Sequence, residues 1–283
     1  MIPFDFEYYK PSSIMEAVDT FRLLNTQGKE PLYYGGGTEI ITMARRSHIF
    51  TKAVIDIKGI PECNTFNVQN GKLVIGASIT LTRLGESDIF PLLGKAARKV
   101  ADHTVRNKLT LGGNICGKIT FREAVLPFLL SDSMVVLAGQ RGTRNVPINQ
   151  VFNKTLNLEQ GEFIVQLVID IEYSQLPFMS IKKTKQEKSA YPLISVDALK
   201  KDGQIRLAFS GVCPFPFRSS TIEQILNDKN IPLELRINKA LTSLPAPINN
   251  NIEASAEYRE FVLKNTLTDT IKVLERSQYA GIP

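Results

Sequence analysis

Leu32-Tyr33-Tyr34-Gly35-Gly36-Gly37-Thr38-Glu39-Ile40 places three consecutive glycines between a short apolar run and a polar segment. A second glycine pair lies in Thr110-Leu111-Gly112-Gly113-Asn114-Ile115. Glycines permit positive φ angles and close backbone approach, so the N–H groups of such a loop can converge on a pyrophosphate. Each cluster alone would equally fit a tight turn between strands, but the paired occurrence predicts two phosphate-binding loops.

The first loop differs from the two commonest phosphate motifs. It lacks the G-x-G-x-x-G spacing of a dinucleotide fingerprint, and it lacks the Lys-Ser/Thr pair of a P-loop. A strand, a glycine turn and a helix in succession nevertheless form a geometry that binds phosphate. The spacing therefore disfavours a Rossmann domain or an NTPase and leaves another phosphate-bearing ligand.

Composition predicts an ordinary soluble protein. The chain has 283 residues, of which 43% are hydrophobic, and this is enough for one large or two medium domains. No apolar run approaches the length of a membrane span, and the first five residues have neither the basic flank nor the apolar core of a secretory signal. We expect a cytoplasmic protein that does not bind a membrane.

Cysteines and histidines are too few and too scattered to predict a metal centre. The three cysteines are Cys63, Cys116 and Cys213, and they form neither a C-x-x-C knuckle nor the four thiolates of an iron–sulfur cluster. His48 and His103 are the only histidines, so a catalytic zinc site or a Ser-His-Asp triad would depend on very few residues. Cys116, inside the second loop, is interpreted as a small packing residue.

The net charge of +6 is spread along the chain and has no interleaved aromatic stripe, so nucleic acid is not the expected partner. The densest basic cluster fits a solvated strand face as well as it fits neutralisation of a phosphate-bearing cofactor or an acidic partner surface. It comprises Lys182, Lys183, Lys185 and Lys188.

Hydrophobic periodicity predicts a mixed chain whose pattern changes near residue 172. Before that point, helices are expected over 14–25, from 39 onward and over 90–101, with strands at 32–34, 54–57, 72–76, 134–137 and 163–171. After it, three consecutive strands at 178–185, 193–199 and 205–212 precede helices at 221–227, 233–244 and 254–276. We therefore predict two domains, 1–173 and 174–283.

Several ordered motifs together resemble a known family. They are the segment 33–40, the segment Val105-Arg106-Asn107-Lys108-Leu109-Thr110-Leu111-Gly112-Gly113-Asn114-Ile115, the segment Gly76-Ala77-Ser78-Ile79-Thr80-Leu81, Val146-Pro147-Ile148, Lys183 and Tyr258-Arg259. The chain is similar over nearly its whole length to the FAD-binding medium subunit of molybdenum hydroxylases of the xanthine dehydrogenase and CO dehydrogenase type. The resemblance implies an α+β fold, with a two-part FAD-binding domain of the vanillyl-alcohol oxidase (PCMH) type followed by a smaller domain of three strands backed by helices.

The resemblance also implies which residues contact FAD. The positions that match are Tyr33, Tyr34, Gly35, Gly36, Gly37, Thr38, Glu39, Ile40, Thr110, Gly113, Asn114, Ile115, Gly117, Glu123 and Lys183. Glu123 stands where the family usually has Asp at the end of a proline-containing stretch of small residues. Lys182 would take the place of Lys183 if the strand register differed by one residue. No catalytic residue and no metal ligand is expected on this chain.

The family's activity implies a hetero-oligomeric oxidoreductase resembling xanthine dehydrogenase. A large molybdopterin subunit would hydroxylate the substrate, and a small subunit with two [2Fe–2S] clusters would pass electrons to FAD on this chain and then to NAD⁺ or another acceptor. The FAD is expected to be non-covalent, because Thr38 occupies the place where some related proteins have a linking histidine. The alternatives are a free-standing flavin-dependent reductase of the same fold, similar to UDP-N-acetylenolpyruvylglucosamine reductase, and a non-catalytic basic binding module.

Overall fold

The computed structural model describes residues 2–185 and 191–277 of the chain. Its helices are α1 (Ile14–Thr26), α2 (Thr38–Arg45), α3 (Leu81–Gly85), α4 (Pro91–Arg98), α5 (His103–Arg106), α6 (Leu111–Cys116), α7 (Leu126–Leu130), α8 (Ile148–Val151), α9 (Ser220–Asn227), α10 (Leu233–Thr242) and α11 (Ala256–Arg276). Its strands are β1 (Glu7–Tyr9), β2 (Leu32–Tyr34), β3 (Ala53–Asp56), β4 (Phe66–Gln69), β5 (Lys72–Gly76), β6 (Met134–Gly139), β7 (Gly142–Pro147), β8 (Phe152–Asn153), β9 (Thr155–Leu156), β10 (Phe163–Asp170), β11 (Phe178–Lys183), β12 (Ile194–Lys201), β13 (Gln204–Ser210) and β14 (Phe217–Arg218).

The chain forms two compact units, each built from several segments. The first unit contains Met1–Arg83, His103–Gly117 and Asp132–Asp170. The second unit contains Leu84–Asp102, Lys118–Ser131 and Ile171–Pro283. Two segments from the first half of the sequence therefore pack with the carboxy-terminal part, and the division between residues 173 and 174 stays a prediction.

In the first unit, a three-stranded parallel sheet has the order β1-β3-β2. Its central strand β3 is buried along its whole length, as expected for a parallel strand covered on both faces. The segment between β2 and β3 carries α2, so this β-α-β unit puts the first glycine loop at the carboxyl end of β2. Phosphate-bearing ligands bind at this edge of parallel sheets.

A five-stranded antiparallel sheet completes the first unit, in the order β4-β5-β10-β6-β7. The turn between β4 and β5 is the predicted Asn70-Gly71, and both residues have positive φ angles, of 49° and 72°. Two adjacent residues with positive φ suit the right-handed twist of a two-residue hairpin. Strand β10 pairs with both β5 and β6, and so it lies at the centre of this sheet.

The second unit is built on an antiparallel sheet in the order β11-β12-β13-β14. One face of the sheet packs against helices α9, α10 and α11 in a core that includes Val196, Leu207, Phe209, Leu267 and Ile271. The three predicted strands are confirmed, and the two-residue strand β14 adds a fourth at the edge. This strand is too short for period-two alternation to show in the sequence.

The Tyr258-Arg259 motif lies in the first turns of α11. Arg259 is fully buried, and its guanidinium donates hydrogen bonds to the carbonyl oxygen of Leu193 and, over 2.6 Å, to Oδ1 of Asn251. A buried guanidinium requires such acceptors because desolvation of an unpaired charge is costly. The motif thus anchors the last helix to the start of β12.

Most predicted elements are confirmed within one or two residues, and α4 is the main exception. The predicted helix at 90–101 ends at Arg98, since Ala101 has a φ of 47°, which a right-handed helix does not accept. None of the helices in the described ranges is long and apolar enough to cross a membrane.

Candidate functional site

The first glycine loop connects β2 to α2 and leaves donors at the helix amino terminus. Gly37 is the residue before α2 and has a left-handed backbone with a φ of 72°. No side chain caps the first turn of this helix. In the part of the chain that the structure describes, the N–H groups of Gly36 and Gly37 donate to no backbone carbonyl. Such a turn favours an anionic ligand because its N–H groups and the helix dipole both carry positive potential.

The second glycine loop forms α6 and is held by its own cap. The hydroxyl oxygen of Thr110 accepts a hydrogen bond from the N–H of Gly113 over 3.2 Å, so Thr110 is the amino-terminal cap of α6. Backbone N–H groups of Leu111 and Gly112 donate to the carbonyls of Ile79 and Ala77, over 2.8 and 2.9 Å. The motif at 76–81 therefore serves as the support of the second loop.

The two loops pack directly against each other. A Cβ atom built on Gly35 would lie 2.6 Å from the hydroxyl oxygen of Thr110, and one built on Gly36 would overlap the carbonyl oxygen of Lys108. Gly36 is thus required by the close approach of two backbones rather than by the turn alone, and Gly35 by the approach of the Thr110 side chain. This approach, which no linear motif contains, unites the two predicted loops into one site.

A further contact joins Glu39 to the end of the second loop. A Cβ built on Gly117 would lie 2.7 Å from a carboxylate oxygen of Glu39, so the Glu39 side chain reaches the end of the second loop. Asn114 and Ile115 are buried. The structure brings Thr110 and Gly117 against segment 35–39, whereas the Ile115 side chain belongs to the core. The FAD contacts of Thr110, Gly113, Asn114, Ile115 and Gly117 stay a prediction.

The two tyrosines of the first loop have different surroundings. Tyr33 packs between the rings of Phe21 and Phe163, and its hydroxyl donates to the carbonyl of Gly161 over 3.1 Å. Burial raises its pKa well above the ordinary range. Tyr33 thus supports the loop from the core side, while the Tyr34 ring lies where a Cβ of Gly37 would be.

One residue beside the loop was missed by sequence reasoning. The ammonium of Lys58 donates to the carbonyl oxygen of Gly35 over 2.6 Å, pairs with Asp56 over 2.9 Å and lies 4.7 Å from the centre of the Tyr34 ring. Asp56 ends the central strand β3, directly beside Tyr34 in the sheet register. The available signal was a polar pair, Asp and Lys, just after a buried strand.

In the second unit, Glu123 belongs to a charged cluster of two buried carboxyl groups and two half-buried lysines. The cluster, which lines a small cavity, comprises Lys99, Glu123, Lys182 and Asp197. The ammonium of Lys182 donates to the carbonyl of Lys99 over 2.6 Å, and that of Lys99 donates to the carbonyl of Ser180. Lys182 and Glu123 therefore share one environment.

Lys183 lies on the other face of β11. Side chains alternate along a strand, so Lys183 points away from Lys182, and it is exposed. The structure thus favours the alternative register, in which Lys182 accompanies Glu123, and the assignment of Lys183 stays a prediction. Lys185 is also exposed, and Lys188 lies outside the described residues.

Burial dominates the ionisation of this cluster. It raises the pKa of Asp197 to about 7, against the opposing effects of a hydrogen bond from Ser180 and of the Lys99 charge. Burial likewise raises the pKa of Glu123, which the charge of Lys182 opposes. The pKa of Lys99 is lowered for the same reason. Burial thus shifts the pKa of each of these groups in the direction that favours its neutral form.

One prediction about the cysteines is wrong. Cys63 and Cys213 are buried, but Cys116 is exposed and so is not the packing residue that we expected. It is the last residue of α6, where the chain leaves the core. Within 2–185 and 191–277, no group of three or more His, Cys, Asp or Glu side chains could hold a metal ion.

The residues present fit a diphosphate-bearing flavin cofactor. The observation that tests this is the α2 amino terminus, where a left-handed glycine and an uncapped first turn present backbone donors. A diphosphate needs such donors and no side-chain base. The hydroxyl of Ser78 is buried beside the second loop, has no hydrogen-bond partner among residues 2–185 and 191–277, and adds a polar group there.

Comparison with known proteins agrees with this geometry. Residues 4–169 match the family of the FAD binding domain in molybdopterin dehydrogenase. The carbon monoxide dehydrogenase medium chain of Hydrogenophaga pseudoflava is 30% identical over 77% of this chain and 78% of its own length. The xanthine dehydrogenase FAD-binding subunit of Escherichia coli O157:H7 is 26% identical over 98% of both chains. A solved carbon monoxide dehydrogenase structure from Hydrogenophaga pseudoflava superposes with a TM-score of 0.85 at 25% identity, covering 96% of this chain and 98% of that one. The chain therefore belongs to the family of FAD-binding subunits of molybdenum hydroxylases, the oxidoreductases that include xanthine dehydrogenase and CO dehydrogenase.

Proposed function

We propose that this chain is the electron-transfer subunit of a molybdenum hydroxylase complex and binds FAD through the two packed glycine loops. The observation that carries the proposal is the contact of Gly35 and Gly36 with Lys108 and Thr110, because it joins the two motifs into one site in which the first loop supplies the backbone donors. Backbone donors fixed in advance need no reorganisation when the anion arrives.

Several predicted loop residues have distinct parts in this proposal. The N–H groups of Gly36, Gly37 and Thr38 would hold the diphosphate, and the hydroxyl of Thr38 is a further donor. The amide of Asn114 can both donate and accept. Tyr33 and Ile115 act through the shape of the loops, since their side chains belong to the core.

Bound FAD would supply redox chemistry in one-electron and two-electron steps, which no side chain of this protein can supply. The chain's own task is to bind the cofactor, orient it and limit the access of water. We infer a partner subunit with [2Fe–2S] clusters as the electron donor and a large molybdopterin subunit as the site of substrate hydroxylation. NAD⁺ is the acceptor that we propose, and the three scattered cysteines agree with clusters held on another chain.

The assignments in the second unit rest on different support. Glu123 and Lys182 line the same cavity, and a carboxyl group beside an ammonium offers both an acceptor and a donor to a neutral polar ligand. We therefore propose Lys182 rather than Lys183 as the partner of Glu123 in any cofactor contact.

The absorption spectrum of the protein purified without added cofactor tests the proposal. We expect a flavin spectrum, and heat or acid denaturation should release FAD into the supernatant, identified by chromatography. FAD that stays with the precipitated protein would contradict the non-covalent assignment. A colourless protein that also binds no added FAD would refute the flavin function and favour a basic binding module. Anaerobic reduction by NADH distinguishes NAD⁺ from other acceptors.

A further inference from the structure

We infer that Lys58 is a positioning residue for the diphosphate site, acting through the backbone of Gly35. The inference rests on the proposed function, since it concerns how the same cradle is prepared for its ligand. Lys58 lies outside both glycine motifs, and its side chain is 39% exposed. Its ammonium donates to the carbonyl oxygen of Gly35, the first glycine of the loop, over 2.6 Å.

The geometry of the peptide bond links this contact to the direction in which the N–H of Gly36 points. In a trans peptide, the carbonyl of one residue and the N–H of the next point in opposite directions. The peptides of the described chain are all trans. Because Lys58 holds the Gly35 carbonyl on one side of the loop, the N–H of Gly36 must point to the other side. Gly36 is also the residue whose Cβ position is filled by the Lys108 carbonyl, so the peptide is constrained from two directions.

Lys58 is itself held in place by a chain of contacts from the parallel sheet. Asp56 is almost fully buried at the end of β3, and its carboxylate accepts both the ammonium and the backbone N–H of Lys58, each over 2.9 Å. The hydroxyl of Tyr8, on the neighbouring strand β1, donates to the same carboxylate. Burial would raise the pKa of Asp56, but the hydrogen bonds from Lys58 and Tyr8 outweigh it and lower that pKa.

These contacts keep the Asp56 carboxylate ionised and hold the Lys58 ammonium at the carboxyl edge of the parallel sheet. The ring of Tyr34 limits its movement from a further side. A flexible glycine loop loses conformational entropy when it orders around a ligand, and a residue that orders the loop beforehand removes that cost from binding. Lys58 therefore acts on cofactor affinity through the loop conformation. Asp56 holds Lys58 in place, and Tyr8 in turn holds the Asp56 carboxylate.

The test compares Lys58→Met with Lys72→Met in the full-length protein stripped of cofactor and titrated with FAD by fluorescence. Lys72 is the matched control, because it is a lysine of the same unit whose ammonium pairs with Asp170 over 2.9 Å. We expect Lys58→Met to weaken FAD binding about 10-fold, and Lys72→Met to leave it unchanged. Lys58→Arg, which keeps a cationic donor, should recover most of the affinity.

Two further readouts separate loop positioning from other roles. The melting temperature of cofactor-free Lys58→Met should lie below that of Lys72→Met, because the buried carboxylate of Asp56 loses its cation, and Lys58→Arg should restore it. The FAD titrations are therefore made well below the melting temperature of Lys58→Met, so that only folded protein is compared. The salt dependence of FAD affinity should be the same in wild type and variant, because the ammonium is engaged by Gly35 and Asp56 rather than by phosphate.

Equal FAD affinity in Lys58→Met and Lys72→Met would overturn the inference. A reduced salt dependence in Lys58→Met would also overturn it, since the lysine would then bind phosphate directly. Failure of the wild-type protein to bind any FAD would instead refute the proposed function, and this result is distinct from both.

Discussion

At the residue scale, the glycines of the first loop are required by their neighbours. The Cβ position of Gly36 is taken by a backbone carbonyl and that of Gly37 by the Tyr34 ring. A backbone carbonyl cannot rotate away as a side chain can, so Gly36 tolerates substitution least. Gly37 adds a second requirement, because its φ of 72° is strained for any residue with a Cβ.

We expect Gly36→Ala to separate the two loops and to abolish FAD binding, with a loss of about 3 kcal/mol in the free energy of unfolding, the upper end for overpacking. Gly203→Ala is the control. Its φ is +76°, but no atom lies within 4 Å of its Cβ position, so it bears backbone strain without a collision. It should cost about 1 kcal/mol and keep FAD. Urea unfolding and the flavin content of the purified variants measure both effects, and full flavin occupancy in Gly36→Ala would contradict the close packing.

At the level of single elements, side chains on β11 and β12 alternate between an apolar face and a polar face of the sheet. Val196 and its neighbours face the helices α10 and α11, whereas Ser180 and Asp197, paired across the strands, face the charged cavity with Lys182. Asp197 Oδ2 has no hydrogen-bond partner in the described part of the chain, so its burial is poorly compensated. The sheet thus keeps an ionisable group on its polar face at a cost in stability.

The pH dependence of unfolding tests this cost. The pKa of Asp197 is about 7 in the folded protein and near 3.9 in an unfolded chain, so between these values the folded state binds more protons. The free energy of unfolding should therefore fall as pH rises from about 4 to 7, by linkage. Glu123 adds to this slope, because burial raises its pKa as well. Lys99 and Lys182 line the same cavity as Asp197 and carry the opposite charge.

We expect Asp197→Asn to be the more stable protein at pH 8 and to show a shallower slope than wild type between pH 5 and 7. Urea unfolding at several pH values in this range gives the slope directly. Asp170→Asn serves as the control, because Asp170 is exposed and pairs with Lys72 at the surface. An Asp197→Asn slope equal to that of wild type would show that Asp197 does not titrate in this window.

At the scale of the whole molecule, cofactor binding should determine much of the stability. A ligand that binds only the folded state raises the free energy of unfolding with the logarithm of its free concentration. Because both glycine loops belong to the first unit, their donors are present only when that unit is folded. The unfolded chain offers no such cradle.

We expect FAD at 100 times its dissociation constant to raise the free energy of unfolding of the cofactor-free protein by about 2.7 kcal/mol. FMN at the same concentration should have a much smaller effect, since it lacks the diphosphate that the loops are proposed to hold. Thermal unfolding at increasing concentrations of each flavin measures this. Equal stabilisation by the two flavins would place the binding energy outside the glycine loops.

Local pattern was sufficient for the longer helices and most of the longer strands, but it missed β1, β7 and several short helices. The Ser13 cap with Glu16 begins α1, the Asn70-Gly71 turn joins β4 to β5, and the three long strands of the second unit follow their apolar alternation. These features depend on neighbours within a few residues, so they can be predicted from the sequence. Helix α4 was predicted to be too long, because the residue with a left-handed backbone after it is Ala101 rather than a glycine, which would have indicated a helix end.

The amino-acid sequence was sufficient to identify the two glycine loops, the mixed α and β content and the scattered cysteines. The folded chain was needed to find that the loops pack against each other, that Lys58 contacts the first of them, and that Lys182 rather than Lys183 accompanies Glu123. The physical reason is distance along the chain: more than 70 residues separate Gly36 from Lys108, and the packing of the first unit brings them together. Which lysine faces the cavity depends on strand register, and a register is set by pairing with another strand rather than by the strand's own residues.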